Sequence, residues 1–76
     1  MKSEIFEIVA KVLNVPKANV HEGLTPIEIE TWDSVRHMTL LMATEEHFNC
    51  VFSDRDMVSV GSVGDLISLV EKRQKR

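Results

Sequence analysis

The segment Trp32-Asp33-Ser34-Val35-Arg36-His37-Met38-Thr39-Leu40-Leu41-Met42-Ala43-Thr44-Glu45-Glu46-His47-Phe48 decides the architecture. It holds neither proline nor glycine, and Asp33 or Ser34 can open a helix that runs to about Phe48. On a wheel at about 100° per residue its apolar positions divide into two strips about 130° apart. Leu40, Leu41, Thr44 and Phe48 form one; Val35, Met38 and Met42 form the other, with Ser34 projecting between them at the helix start. One strip is enough to dock a helix on a core. The second is therefore either further core, packed against the short segment that follows, or a surface for a partner. Glu45 and Glu46 flank it, and an apolar strip rimmed by acids suits a basic partner.

Upstream, Ser3 can cap a first helix with Glu4 in its positively polarised first turn, and Ile5, Ile8, Val9, Val12 and Leu13 follow at helical spacing. Pro16 is expected to end it, because Val15, standing before a proline, is biased away from the helical region. From Pro16 to Thr31 runs a long connection marked by Gly23 and Pro26. Either that loop is functional or Val20, Leu24, Ile27 and Ile29 pin it to the core. Downstream, Ser53 can cap a short turn opening Asp54-Arg55-Asp56, and Gly61 breaks the chain again. Ser62, with Asp65 three residues on, approximates a capping box for a last helix whose apolar face is Val63, Leu66, Ile67, Leu69 and Val70. Val58-Ser59-Val60 alternates like a strand but is too short to build a sheet alone. The expected fold is all-α: a small bundle of three main helices plus one short helix, with a long first loop.

The 76 residues give room for one domain, 1–76, whose residues 71–76 read as a basic C-terminal tail. At this size folding buries roughly 60% of the surface of the unfolded chain, so one modest core must hold the fold and an elaborate active-site cavity is not expected. Hydrophobic residues at 43% and charged residues at 28% describe an ordinary globular chain rather than a disordered one. Cys50 stands alone, which rules out an internal disulfide and fits a reducing compartment. No apolar run approaches the roughly 18 to 20 residues of a membrane span, and the start lacks the apolar stretch of a signal peptide. A cytoplasmic monomer is the expectation. The net charge of −3 conceals a division, since residues 1–70 carry eleven acids and five bases (−6) and residues 71–76 carry four bases and one acid (+3). An acidic body disfavours nucleic acid, and only the tail speaks for a DNA-binding helical domain.

A serine behind an aspartate at a helix start commonly serves as an N-cap. The functional reading of Ser34 is covalent modification, because a phosphate on its hydroxyl would lie near unsatisfied backbone N–H groups and the positive end of the helix dipole. Asp33 next door and His37 one turn along cannot reproduce a catalytic relay within five residues of one helix, which argues against hydrolase chemistry and against an enzyme.

Trp32-Asp33-Ser34-Val35, followed by Met42-Ala43-Thr44-Glu45-Glu46-His47-Phe48, resembles the acyl carrier proteins, and the order of helices and the long first loop match over nearly the whole chain. The resemblance implies that a phosphopantetheinyl transferase moves 4′-phosphopantetheine from coenzyme A onto Ser34, with Asp33 as the flanking residue of the motif. The arm's thiol then carries acyl groups as thioesters between a loading ligase or transferase and downstream synthases of fatty-acid or specialised, polyketide-like biosynthesis. It also implies that the second helix is the docking surface, through Val35, Met38, Met42, Glu45 and Glu46. Ser34 is then an attachment point, and partner enzymes supply the catalysis.

Trp32 and Val35 stand where the family often has glycine and leucine, and Arg36, His37 and Thr39 where its fatty-acid-synthesis members have acids. Small stand-alone carriers of specialised pathways with Trp-Asp-Ser-x-x-His are similar to this chain. Thr44, where the family usually has leucine, either polarises a cleft for the acyl chain or bonds back to a helical carbonyl. His37 either meets the arm's phosphate when protonated or is plain surface. His21, His47 and Cys50 lack metal-ligand spacing, so no metal is expected, and Cys50 reads as an inert, partly buried thiol. Two alternatives stand beside this reading: an aminoacyl or peptidyl carrier, and a small helical protein–protein adaptor without a prosthetic group.

Overall fold

In the computed structural model, which describes residues 1–74, the chain forms α1 (Lys2–Leu13), a 3-10 turn (Lys17–Asn19), α2 (Ser34–Phe48), α3 (Asp54–Ser59) and α4 (Val63–Gln74). Three longer helices and one short one agree with the all-α expectation. The alternation at Val58-Ser59-Val60 makes no strand, because α3 takes up Val58 and Ser59. Residues 71–74 are the last turn of α4 rather than a tail, and residues 75 and 76 of the expected tail lie outside the described residues.

Helical spacing puts Ile5, Val9 and Leu13 on one stripe of α1, and that stripe packs mainly against α2. Leu40, Leu41 and Thr44 from α2 and Val63, Leu66, Ile67, Leu69 and Val70 from α4 complete the helical part of the core. Val20, Leu24, Trp32, Phe52 and Val60 reach in from the connections. Each fully buried Leu or Ile stabilises the fold by about 1.5–3 kcal/mol relative to exposure.

Two asparagines, rather than a proline, stop α1 and α2. Asn14 adopts the left-handed conformation at φ 57°, and the N–H groups of Asn14 and Val15 both return to the Ala10 carbonyl. Asn49 repeats the device at φ 53°, with its own N–H and that of Cys50 on the Glu45 carbonyl. Asparagine is among the few residues that enter this region readily. Thus α1 ends before Pro16 can act on it. Its start also departs from expectation, since Met1 occupies the cap position and Ser3 lies in the first turn, where its hydroxyl accepts from Lys17 Nζ at 3.0 Å.

The first loop is held at both ends. Thr31 Oγ1 donates to the Leu13 carbonyl at 2.6 Å and Arg36 Nη1 to the Val12 carbonyl at 2.8 Å, so two carbonyls left over at the end of α1 are satisfied from the far side of the loop. At the other edge, Val63 N–H donates to the Leu24 carbonyl (3.0 Å) and Gly64 N–H to the Glu22 carbonyl (2.7 Å). A Cβ at Gly64 would sit 3.0 Å from that Glu22 oxygen, so glycine is what permits this close approach. Val20 and Leu24 are buried and Ile29 packs against the core, but Ile27 is 96% exposed and pins nothing.

Short α3 depends on its caps. Ser53 and Asp56 form a reciprocal capping box at 3.0 Å in each direction. Arg73 Nε (2.8 Å) and Nη2 (2.7 Å) close on the same Asp56 carboxylate in a fork that ties α3 to α4. The Ser53 N–H and the Arg73 guanidinium together hold the Asp56 carboxyl below its ordinary range. Ser62 Oγ accepts the Asp65 N–H at 3.1 Å, while the Asp65 carboxylate reaches Gly61 N–H instead of Ser62.

Candidate functional site at the start of α2

Asp33, in an extended conformation, caps α2: its Oδ1 accepts the Arg36 N–H at 2.8 Å and its carbonyl accepts the His37 N–H at 2.8 Å. Ser34 is consequently the first helical residue and not the cap. Its side chain is exposed, and its hydroxyl takes part in no hydrogen bond among the described residues. The cap position is filled by a carboxylate, which leaves the serine oxygen free at the positive end of a 15-residue helix.

Behind Ser34 lies a small relay that sequence reasoning missed. The Trp32 indole is buried, and its Nε1–H donates to His37 Nδ1 at 3.0 Å. His37 Nε2 stands 3.0 Å from the Met57 carbonyl. An indole nitrogen can only donate and a carbonyl can only accept, so the two contacts match the tautomer that carries hydrogen on Nε2. The two rings lie 24° from parallel. His37 is therefore neither plain surface nor free for a phosphate, because both nitrogens are engaged in tying the end of the first loop to α3. The available signal was Trp32 itself, since a tryptophan that buries its ring needs an acceptor.

The strip of Val35, Met38 and Met42 is exposed, with Val35 at 74% and Met42 at 59%, which rules out the packing of this strip against the third segment. Glu46 is exposed beside it. Glu45 is half-buried and has a structural duty, since its Oε2 accepts the Phe52 N–H at 2.7 Å across the α2–α3 connection. Arg36 is turned toward the end of α1 by its bond to Val12, and Thr39 Oγ1 donates to the Val35 carbonyl. Thr44, fully buried, donates to the Leu40 carbonyl at 2.8 Å, the bond back to its own helix. Cys50 is half-buried, and burial pushes its thiol pKa up, which keeps it protonated and unreactive.

Pro26, Trp32, Asp33, Ser34, His37 and Met38 line a shallow, mostly apolar groove of about 480 Å³ at the same helix end. An accessible hydroxyl on a rigid helix start, spare positive potential, and open space beside it fit the attachment of a phosphodiester-linked arm. Comparison with known proteins supplies the family. Residues 3–70 match the family described as the phosphopantetheine attachment site. The chain is 31% identical over 74 residues to the acyl carrier protein of Chlamydia caviae, covering 97% of this chain and 96% of that one. It is 34% identical over 68 residues to the acyl carrier protein of Wolinella succinogenes, covering 90% of each, and 30% identical over 71 residues to that of Thermotoga maritima, covering 93% and 88%. The chain belongs to the phosphopantetheine-binding carriers, and within them to the acyl carrier protein family. Its prosthetic group is 4′-phosphopantetheine, and it is a carrier rather than an enzyme.

Proposed function

We propose that this chain carries acyl groups as thioesters on a 4′-phosphopantetheine arm attached to Ser34 Oγ, and presents them to partner enzymes along α2. The observation that carries the reading is the division of labour at the helix start: Asp33 caps, and Ser34 is left exposed and unbonded. A phosphopantetheinyl transferase would join Ser34 Oγ to the phosphorus of coenzyme A as the pyrophosphate bond breaks, releasing adenosine 3′,5′-bisphosphate. Nothing on the carrier needs to activate the hydroxyl. Val35, Met38, Met42 and Glu46 supply a contact face around it, with Glu45 sharing its carboxylate between that face and Phe52. The acids of α2 lie only near its C-terminal end, which supports partners of a specialised pathway that read apolar contacts near Ser34 and charge further along.

Incubation with coenzyme A, magnesium and a broad-specificity transferase is expected to add the mass of one phosphopantetheinyl group, and Ser34→Ala to add none. No adduct under conditions that load a control carrier overturns the proposal. Charging the loaded protein with a panel of acyl and aminoacyl ligases then separates an acyl carrier from an aminoacyl one.

A further inference from the structure

The groove beside Ser34 differs from the other depressions on this surface. The one between α1 and α2 sets Glu4, Glu7, Lys11, Glu46 and His47 beside Ile8, Val12 and Ala43, and the one near Met1 is lined mostly by polar residues, Ser68, Glu71, Lys72 and Gln74. Beside Ser34 the walls are the Pro26 ring, the buried Trp32 indole and the Met38 side chain, which is 44% exposed. The only carboxylate there, Asp33, is held by the Arg36 N–H, and the only imidazole, His37, has both nitrogens bonded. Apart from the Ser34 hydroxyl and the second Asp33 oxygen, the polar groups of the lining are thus already engaged, and most of the wall offers apolar contact. Hydrophobic walls with a few fixed polar groups are the usual make-up of a small-molecule site.

Resting on attachment at Ser34, we propose that this groove seats the phosphate-proximal part of the carrier's own arm. That part is the quaternary carbon with its two methyl groups, lying against Trp32 and Met38. Two arguments select this occupant. Ser34 is itself part of the lining, so anything bonded to its hydroxyl is held at high local concentration over the groove. The geminal methyls follow the phosphate within a few bonds, whereas the thioester and its cargo lie at the far end of the arm. The apolar segment within closest reach is thus the one that matches the walls. Seating it orients the arm outward from the helix start, a fixed departure direction for a tethered thiol.

The test uses the full chain loaded with the unacylated arm, with loading verified by intact mass. Nuclear Overhauser contacts between the arm's geminal methyls and the Trp32 indole and Met38 methyl protons are expected, together with a changed Trp32 emission; Trp32 is the sole tryptophan. Pro26→Asp, at the loop wall of the groove and away from the α2 contact face, is expected to weaken these contacts while Ser34 still loads and the helical circular dichroism is retained. Complete loading with no such contacts and an unchanged Trp32 signal overturns the proposal while leaving attachment intact. Contacts that appear only after acylation, and involve cargo protons, overturn it in favour of a cargo site. Absence of any adduct overturns attachment and this proposal together.

Discussion

Ser34, Ser53 and Ser62 all stand at helix starts, yet only two of them work for the fold. At α3 and α4 the serine precedes the helix, and its hydroxyl accepts an N–H from the third residue on, Asp56 in one case and Asp65 in the other. At α2 that position belongs to Asp33, so Ser34 falls one residue inside and is exposed, its hydroxyl without a partner among the described residues. A shift of one residue separates a structural hydroxyl from one that another molecule can use. With the cap on Asp33, the attachment proposed at Ser34 would leave the bonds that start the helix in place.

The contrast can be broken experimentally. The largest effect expected is on loading: Ser34→Ala abolishes phosphopantetheinylation by intact mass, whereas Ser53→Ala and Ser62→Ala load as the parent does. His37→Ala comes next, because it strands the buried Trp32 N–H and frees the Met57 carbonyl; a loss of about 2 kcal/mol is expected from urea unfolding. Ser53→Ala and Ser62→Ala each are expected to lose about 1 kcal/mol, a fall in Tm of about 4–8 °C, while Ser34→Ala stays within about 0.5 kcal/mol of the parent. If Ser34→Ala instead costs as much as the other two, the assignment of the cap to Asp33 is wrong.

The smallest effect concerns acid. Hydrogen bonding from Ser53 N–H and the Arg73 guanidinium lowers the Asp56 pKa in the folded chain, so its contribution is complete at neutral pH. It begins to be lost as pH falls past about 4, the unfolded value, and disappears as pH falls through the lower folded one. Asp56→Asn is therefore expected to flatten part of the decline in Tm between neutral and acid pH, relative to the parent. An unchanged decline would show that the α3–α4 fork does not couple to protonation.

Much of this molecule was legible because the relevant physics is local. The bounds of α2, the apolar face of α4, and the caps Ser53 and Ser62 all follow from neighbours within one or two turns. Thr44 bonding back to its own helix is of the same kind. What misled was partner choice across the chain. Ser3 reads as a cap but receives Lys17; Glu45 reads as pure docking charge but holds Phe52 N–H; His37 reads as surface but joins Trp32 to Met57. Ile27 illustrates the converse, since an apolar residue in a loop pinned on either side has no obligation to be buried.

By itself the sequence determined that this is a short helical chain with an Asp-Ser pair at the start of an amphipathic helix, and through that motif which family it resembles. Periodicity and capping preferences act over a few residues, and a single sequence contains them in full. Only the tertiary structure decided that His37 joins Trp32 to Met57, that the second strip of α2 is exposed, and that an apolar groove built from the first loop and α2 opens beside the serine. Those facts depend on which distant carbonyls, carboxylates and rings meet once the core of α1, α2 and α4 closes, and hydrogen-bond partners far apart in the chain leave no periodic trace in it.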